Sequence, residues 1–187
     1  MRAFLALNPD ADAHEVLCRY RRRLLEAPWA RHVKWTAEAN LHMTIRFLGD
    51  IDAAVDAALT ERLEAALGRP DAPGPLELNM TEPRFFPSAQ QPRTIACLVA
   101  ATSGLTALAT LAETTAQSVG LAAADKPFRG HITLGRTRPT WPSGVRLEIA
   151  PALTRWRADA LVLYRSDLRP DGPRYTVLRR FMLSGGA

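Results

Sequence analysis

Leu41-His42-Met43-Thr44-Ile45-Arg46-Phe47-Leu48-Gly49 and Gly130-His131-Ile132-Thr133-Leu134-Gly135-Arg136 carry the same short pattern, His-x-Thr-apolar. Successive side chains of a strand point to opposite faces, so His42 shares a face with Thr44 and His131 with Thr133, while Met43, Ile45, Ile132 and Leu134 turn into a core. Each copy therefore offers one imidazole and one hydroxyl from a strand that is otherwise buried. Two such strands facing across a groove supply a general acid, a general base and two hydroxyl donors, a set suited to attack on phosphorus without a metal. The same alternation sends Arg46 into the groove beside Thr44, where it can neutralise a phosphate, and buries Phe47 with Met43 and Ile45. Arg136 has the opposite parity to His131. A regular strand turns it to the far face, into a structural ion pair, unless the strand ends or bulges at Gly135.

Around the two copies, strand and helix signals alternate. Ala3 to Leu7 reads as a strand closed by Asn8-Pro9, and Asp10 caps a helix to about Leu25 with Val16, Leu17, Tyr20 and Leu24 on one face. Arg19, Arg21, Arg22 and Arg23 form a solvated basic face of that helix. After Val33 to Trp35 and the first copy, Asp50 or Asp52 opens a second helix to about Leu67, with Val55, Leu59, Leu63 and Leu67 at helical spacing. Arg69 to Pro75 makes a turn, Leu76 to Met80 resumes as a strand, and Phe85 to Pro92 reads as a loop into the strand Thr94 to Val99. Thr102 or Ser103 caps a third helix to about Val119. Past the second copy, strands are expected at Val145 to Ile149, Ala160 to Ser166 and Tyr175 to Leu183, the last two joined by the turn Arg169-Pro170-Asp171-Gly172.

The formal charge is +5 and the pI near 9.9, with 22 of 24 basic residues arginine, which favours a polyanionic partner such as RNA. Cys18 and Cys97 match no zinc spacing with the four histidines and read as buried thiols of a reducing compartment. The opening apolar run stops too soon for a signal sequence and no stretch reaches the length of a membrane span, so a cytoplasmic protein without a membrane partner is expected. His14 and His32, which lack a following Thr, are assigned no catalytic role.

Beyond the His-x-Thr pair, the opening Arg2 to Leu7, the longer signatures Asn40 to Gly49 and Phe128 to Arg136, and the closing Leu163-Tyr164-Arg165-Ser166 with Gly172 and Tyr175 resemble the two-histidine phosphoesterase superfamily. Within it they resemble the RNA 2′,3′-cyclic phosphodiesterase branch, also called 2′-5′ RNA ligases, over nearly the whole chain. The resemblance implies an α+β fold of two lobes, with two antiparallel sheets, each backed by helices, facing across a basic groove with pseudo-two-fold duplication. Residues 1–183 then form a single bilobal domain and 184–187 a disordered tail. It further implies that water opens a 2′,3′-cyclic phosphate at an RNA end to leave a 2′-phosphate, with His42 as proton donor to the departing 3′-oxygen and His131 as proton acceptor. Thr44 and Thr133 would hydrogen-bond the nonbridging oxygens.

RNA with such an end is the expected partner, no metal or other cofactor is expected, and the chain is expected to be a monomer. Arg46, Lys126 and Arg129 are candidates for the RNA backbone, and Phe85 and Phe128, each beside a loop, for stacking the terminal base. Two positions depart from the family pattern: Gly130 stands where Pro usually precedes the second His, which would loosen the approach to the strand, and Ala96 stands where relatives often carry Trp. Other substrates of the same dyads remain open: small cyclic nucleotides, 2′-5′ linked oligonucleotides, and ATP-independent ligation with an RNA 5′-hydroxyl in place of water. A noncatalytic RNA-binding module is the alternative of a different class.

Overall fold

Two apolar runs become inner strands of two separate antiparallel sheets in the computed structural model, which describes residues 1–142, 144–170 and 172–185. The first run, β1 (Arg2–Leu7), lies between β3 (Met43–Asp50) and β8 (Ala160–Arg169), with β9 (Gly172–Met182) outside β8. The second, β5 (Thr94–Val99), lies between β6 (His131–Thr137) and β4 (Leu76–Phe86). β2 (Val33–Trp35) extends that sheet beyond β6, and β7 (Leu153–Ala158) beyond β4. Covered on both faces, β1 buries Ala3, Phe4, Leu5, Ala6 and Leu7, and β5 buries all its residues but Leu98. These inner strands anchor the two His-x-Thr strands: β1 pairs with β3, and β5 with β6.

Three α-helices among the described residues complete the α+β fold: α1 (Ala11–Leu25), α2 (Ala53–Leu67) and α3 (Ser103–Ser118). Asp10, Asp52 and Thr102 cap them, accepting from Ala13, Val55 and Leu105 N–H at 2.9, 2.8 and 3.1 Å. The apolar stripes face inward: Leu17 and Leu24 from α1, Leu59, Leu63 and Leu67 from α2, Leu105 and Leu108 from α3. Each such side chain contributes about 1.5–3 kcal/mol on burial. α1 packs on β7, α2 on β9, and α3 on β3 and α2. The strand carrying the first motif is therefore covered by a helix from the middle of the chain, and its sheet is completed by the C-terminal β8 and β9.

Two expectations are corrected. Val145 to Ile149 forms no strand; the outer strand is β7, whose Trp156 and Ala158 point inward while Arg155 and Arg157 point out. β4 continues through Pro83 to Phe86, because the register slips between Met80 and Pro83 and a bulge tolerates the missing N–H. In the β8–β9 turn, Asp171 lies outside the described residues, while Arg169 and Gly172 are cross-strand partners. Of the tail 184–187, Gly186 and Ala187 lie outside them too, and Gly185 sits against the backbone of Gly74. Cys18 and Cys97 are buried thiols, and burial pushes the Cys97 thiol far up. Among the described residues no helix is long and apolar enough to cross a membrane.

Candidate active site

His42 stands immediately before β3, and α1 fixes the segment that delivers it. His14 Nε2–H donates to the Glu38 carbonyl at 3.0 Å, and the Arg21 guanidinium donates to Thr36 O at 2.8 Å and pairs with Glu38 at 3.3 Å. The Asn40 amide ties the same turn to Pro173 O at 2.8 Å. His42 Nδ1 then lies 2.7 Å from Asn40 O, and His131 Nδ1 lies 2.8 Å from Arg129 O. A carbonyl only accepts, so in both rings Nδ1 carries the proton and Nε2 is the working nitrogen. His42 Nε2 is 3.0 Å from Thr44 Oγ1. Among the described residues, His131 Nε2 has no protein hydrogen-bond partner. The Phe86 ring lies nearly parallel to the His131 ring, with centroids 6.3 Å apart.

Both motif strands bulge at the residue after the threonine. Ala6 faces Thr44 and Leu5 faces Arg46, which leaves Ile45 unpaired; Ala96 faces Thr133 and Ile95 faces Gly135, which leaves Leu134 unpaired. A one-residue bulge reverses facing from there on. Phe47, expected in the core, is therefore 58% exposed and lines the cavity that holds both histidines. Arg136 occupies the matching position on β6, lines the same cavity and makes no ion pair among the described residues, so the far-face ion pair is corrected too. Arg46 turns away from that cavity, bound to Glu113 of α3 at 2.5 Å and to the Phe47 and Ala122 carbonyls.

Gly135 is required where β2 lies against this bulge, since a Cβ there would stand 2.5 Å from Val33 Cγ1. Gly130 is buried, and a Cβ would meet Val99 at 3.1 Å and Met43 Sδ at 3.3 Å. Its lack of a side chain lets the two motif strands approach closely.

The cavity, about 710 Å³, is lined from one sheet by His42, Thr44, Phe47 and Tyr175 and from the other by Trp35, His131, Thr133 and Arg136. Aromatic rings pack around His42: Phe4 at 4.9 Å and Tyr175 edge-on at 5.3 Å. That burial lowers the His42 pKa below its ordinary value, with charge on His131 lowering it further and the Asn40 carbonyl acting against both. Burial likewise raises the Tyr175 hydroxyl, which stays protonated as a donor. Among the described residues no group of three or more His, Cys, Asp and Glu side chains is placed to hold a metal ion.

The low His42 pKa has a measurable sign. An anion in the cavity favours the imidazolium, so from the lowered pKa up through about 6.5 binding takes up a proton and tightens as pH falls. Calorimetry of sulfate binding, an anion that does not itself titrate there, should give heats that vary with buffer ionisation enthalpy. Heats independent of buffer would contradict proton uptake by the cavity imidazole on anion binding. In the empty protein the same group withdraws stability as pH drops below about 6.5, because the unfolded imidazole takes a proton that the buried one refuses.

The structure brings His42, Thr44, His131 and Thr133 together and none of the other candidates with them. Arg46, Lys126, Phe128 and Arg129 line a neighbouring cavity under α3 and the 121–130 loop. Arg129 lies over the Phe86 ring at 5.0 Å, and Phe85 packs with Trp29 and Trp141. Lys34, Trp35, Arg169, Arg174 and Tyr175 are lining residues that alternation around the motifs does not reveal. Tyr175 alone had a sequence signal, in the closing segment of the resemblance.

The profile of the family described as LigT like phosphoesterase matches residues 7–96. The chain is 32% identical over 154 residues to an RNA 2′,3′-cyclic phosphodiesterase of Thermus thermophilus, covering 78% of this chain and 73% of that protein. It is 28% identical over 189 residues to one of Archaeoglobus fulgidus, covering 97% and 99%. Among solved structures, TT0787 of Thermus thermophilus superposes over the whole of both chains with a TM-score of 0.82 at 25% identity. Escherichia coli LigT complexed with 3′-AMP superposes over 97% of each chain with a TM-score of 0.75, at an identity of 23% that speaks for the fold alone.

Proposed function

This chain belongs to the LigT-like phosphoesterase family, and from the site it builds we propose that it hydrolyses RNA 2′,3′-cyclic phosphate ends to 2′-phosphates, with no metal. The observation that carries the reading is the matched pair of imidazoles in one cavity, each held by a backbone carbonyl at Nδ1 with a threonine hydroxyl two residues on. The names of the Thermus and Archaeoglobus relatives support the substrate.

His131, whose Nε2 is open to the cavity, takes a proton from water as its oxygen attacks phosphorus. The P–O3′ bond breaks, and His42 Nε2–H gives its proton to the departing 3′-oxygen. In the empty site the His42 lone pair is engaged by the Thr44 hydroxyl, which favours His131 as the base. The bound phosphate monoanion then offsets the burial of His42 and keeps it protonated as the acid. Thr44 and Thr133, freed to donate to the nonbridging oxygens, meet the charge that grows there in the transition state. Phe47 offers the terminal base an exposed ring at the cavity wall. No step calls on a Lewis acid, since the imidazoles move both protons.

The test is incubation with a short RNA ending in a 2′,3′-cyclic phosphate and excess chelator, with the product identified by phosphorus NMR. A 2′-phosphate supports the reading. A 3′-phosphate reverses the leaving group, and an unchanged ring with RNA bound favours the noncatalytic binding module.

A further inference from the structure

Four cations line the catalytic cavity, and no carboxylate does among the described lining residues: Lys34 on β2, Arg136 on β6, and Arg169 and Arg174 at the tip of the β8–β9 hairpin. None of the four is in an ion pair among the described residues; Arg174 stands across the hairpin from Asp167, whose carboxylate is taken by Arg165 at 3.1 Å. Lys34 and Arg136 are direct cross-strand partners, so two like charges share one face, an arrangement that costs stability unless an anion lies between them. The neighbouring cavity under α3 has no such excess: Arg46 there is paired with Glu113, and Asp125 accompanies Lys126 and Arg129.

The reacting cyclic phosphate is a monoanion already met by two imidazoles and two hydroxyls. Four further cations exceed what it needs. Arg169 and Arg174 belong to the hairpin tip of the sheet that carries His42, next to Tyr175, the ring set edge-on to His42, while Lys34 and Arg136 come from the sheet that carries His131. A planar guanidinium pair with a lysine suits a second phosphate, held from two sides.

We propose that Lys34, Arg136, Arg169 and Arg174 form a second anion subsite that takes the phosphate on the 5′ side of the terminal nucleoside, so that the site distinguishes a polynucleotide end from a cyclic mononucleotide. The inference rests on the proposed RNA-end reading, but its test needs no turnover. The dissociation constants of adenosine 2′-phosphate and adenosine 2′,5′-bisphosphate are compared by calorimetry with the whole chain. The 5′-phosphate tightens binding by about tenfold at low salt, and the advantage shrinks as salt rises.

In Lys34→Gln, and in the double variant Arg169→Gln with Arg174→Gln, the ratio of the two constants falls toward one; Lys34→Arg restores it. All three positions are exposed, and residual binding of adenosine 2′-phosphate reports that the site is still folded. A ratio near one in the unaltered protein overturns the subsite. So does a ratio that survives these variants but is lost in Lys126→Gln with Arg129→Gln, which would route the strand through the cavity under α3. A chain that shows the tenfold ratio yet leaves cyclic phosphates intact retains the subsite and loses the hydrolytic reading.

Discussion

His42→Ala and His131→Ala each lower kcat on a cyclic-phosphate RNA end by about 10²–10⁴-fold, and the two losses differ in how they depend on pH. The acid works only when protonated and the base only when neutral, so the unaltered enzyme gives a bell-shaped profile. Removing His42 abolishes the fall in rate at high pH; removing His131 abolishes the fall at low pH. His131 has a single protein hydrogen bond among the described residues, to a backbone carbonyl, so its truncation removes no side-chain hydrogen-bond partner, whereas His42→Ala also removes a bond to Thr44 and a ring packed against Phe4 and Tyr175. Circular dichroism melts should accordingly move little for His131→Ala and downward for His42→Ala, with both variants still folded. Near-full turnover in either variant would take that residue out of the mechanism.

Thr44→Val and Thr133→Val each cost about a hundredfold in kcat with a much smaller change in KM. Valine keeps the branched shape, so what is lost is a donor aimed at charge that develops only as the ring opens. The two variants are distinguishable. The Thr44 hydroxyl donates to His42 Nε2 in the empty site and so favours the neutral ring. Its removal raises the His42 pKa of the empty site, so the kcat/KM profile of Thr44→Val, which reports the free enzyme, shifts upward in pH on the limb that His42 controls. Thr133 makes no such bond to His131 among the described residues, and Thr133→Val loses rate without that shift. Equal effects on KM and none on kcat would make both hydroxyls ground-state binders.

The alternation of His42, Thr44, His131 and Thr133 against Met43, Ile45, Ile132 and Leu134 was legible because those residues lie before either bulge takes effect. Phe47, Arg46 and Arg136 were not, for one shared reason. An unpaired Ile45 or Leu134 looks the same as a paired one in sequence, yet it reverses the side chains that follow it, on β3 as far as a second slip at Leu48. The one available hint was the doublet Phe47-Leu48, which no regular alternation can bury on one face; Leu48 is buried and Phe47 is not. The helices were readable from their caps and stripes, since those are local. β7 has its own alternation, Trp156 and Ala158 against Arg155 and Arg157, beside the apolar run Val145 to Ile149 that competes for the same reading, and the strand expected to end at Met80 runs on through Pro83, a residue that argues against a strand unless the partner's register is known. Cavity residues on β2 and the β8–β9 hairpin depend on how two sheets meet, which no local pattern encodes.

The division of labour between the two imidazoles is tested most directly by an RNA end whose bridging 3′-oxygen is replaced by sulfur, a leaving group that departs without a proton. With His42 as the acid, His42→Ala regains most of its lost rate on this substrate, while His131→Ala stays as slow as before because water still needs a base. Rescue of His131→Ala instead would exchange the two roles, and rescue of neither would contradict proton transfer to the 3′-oxygen by these histidines.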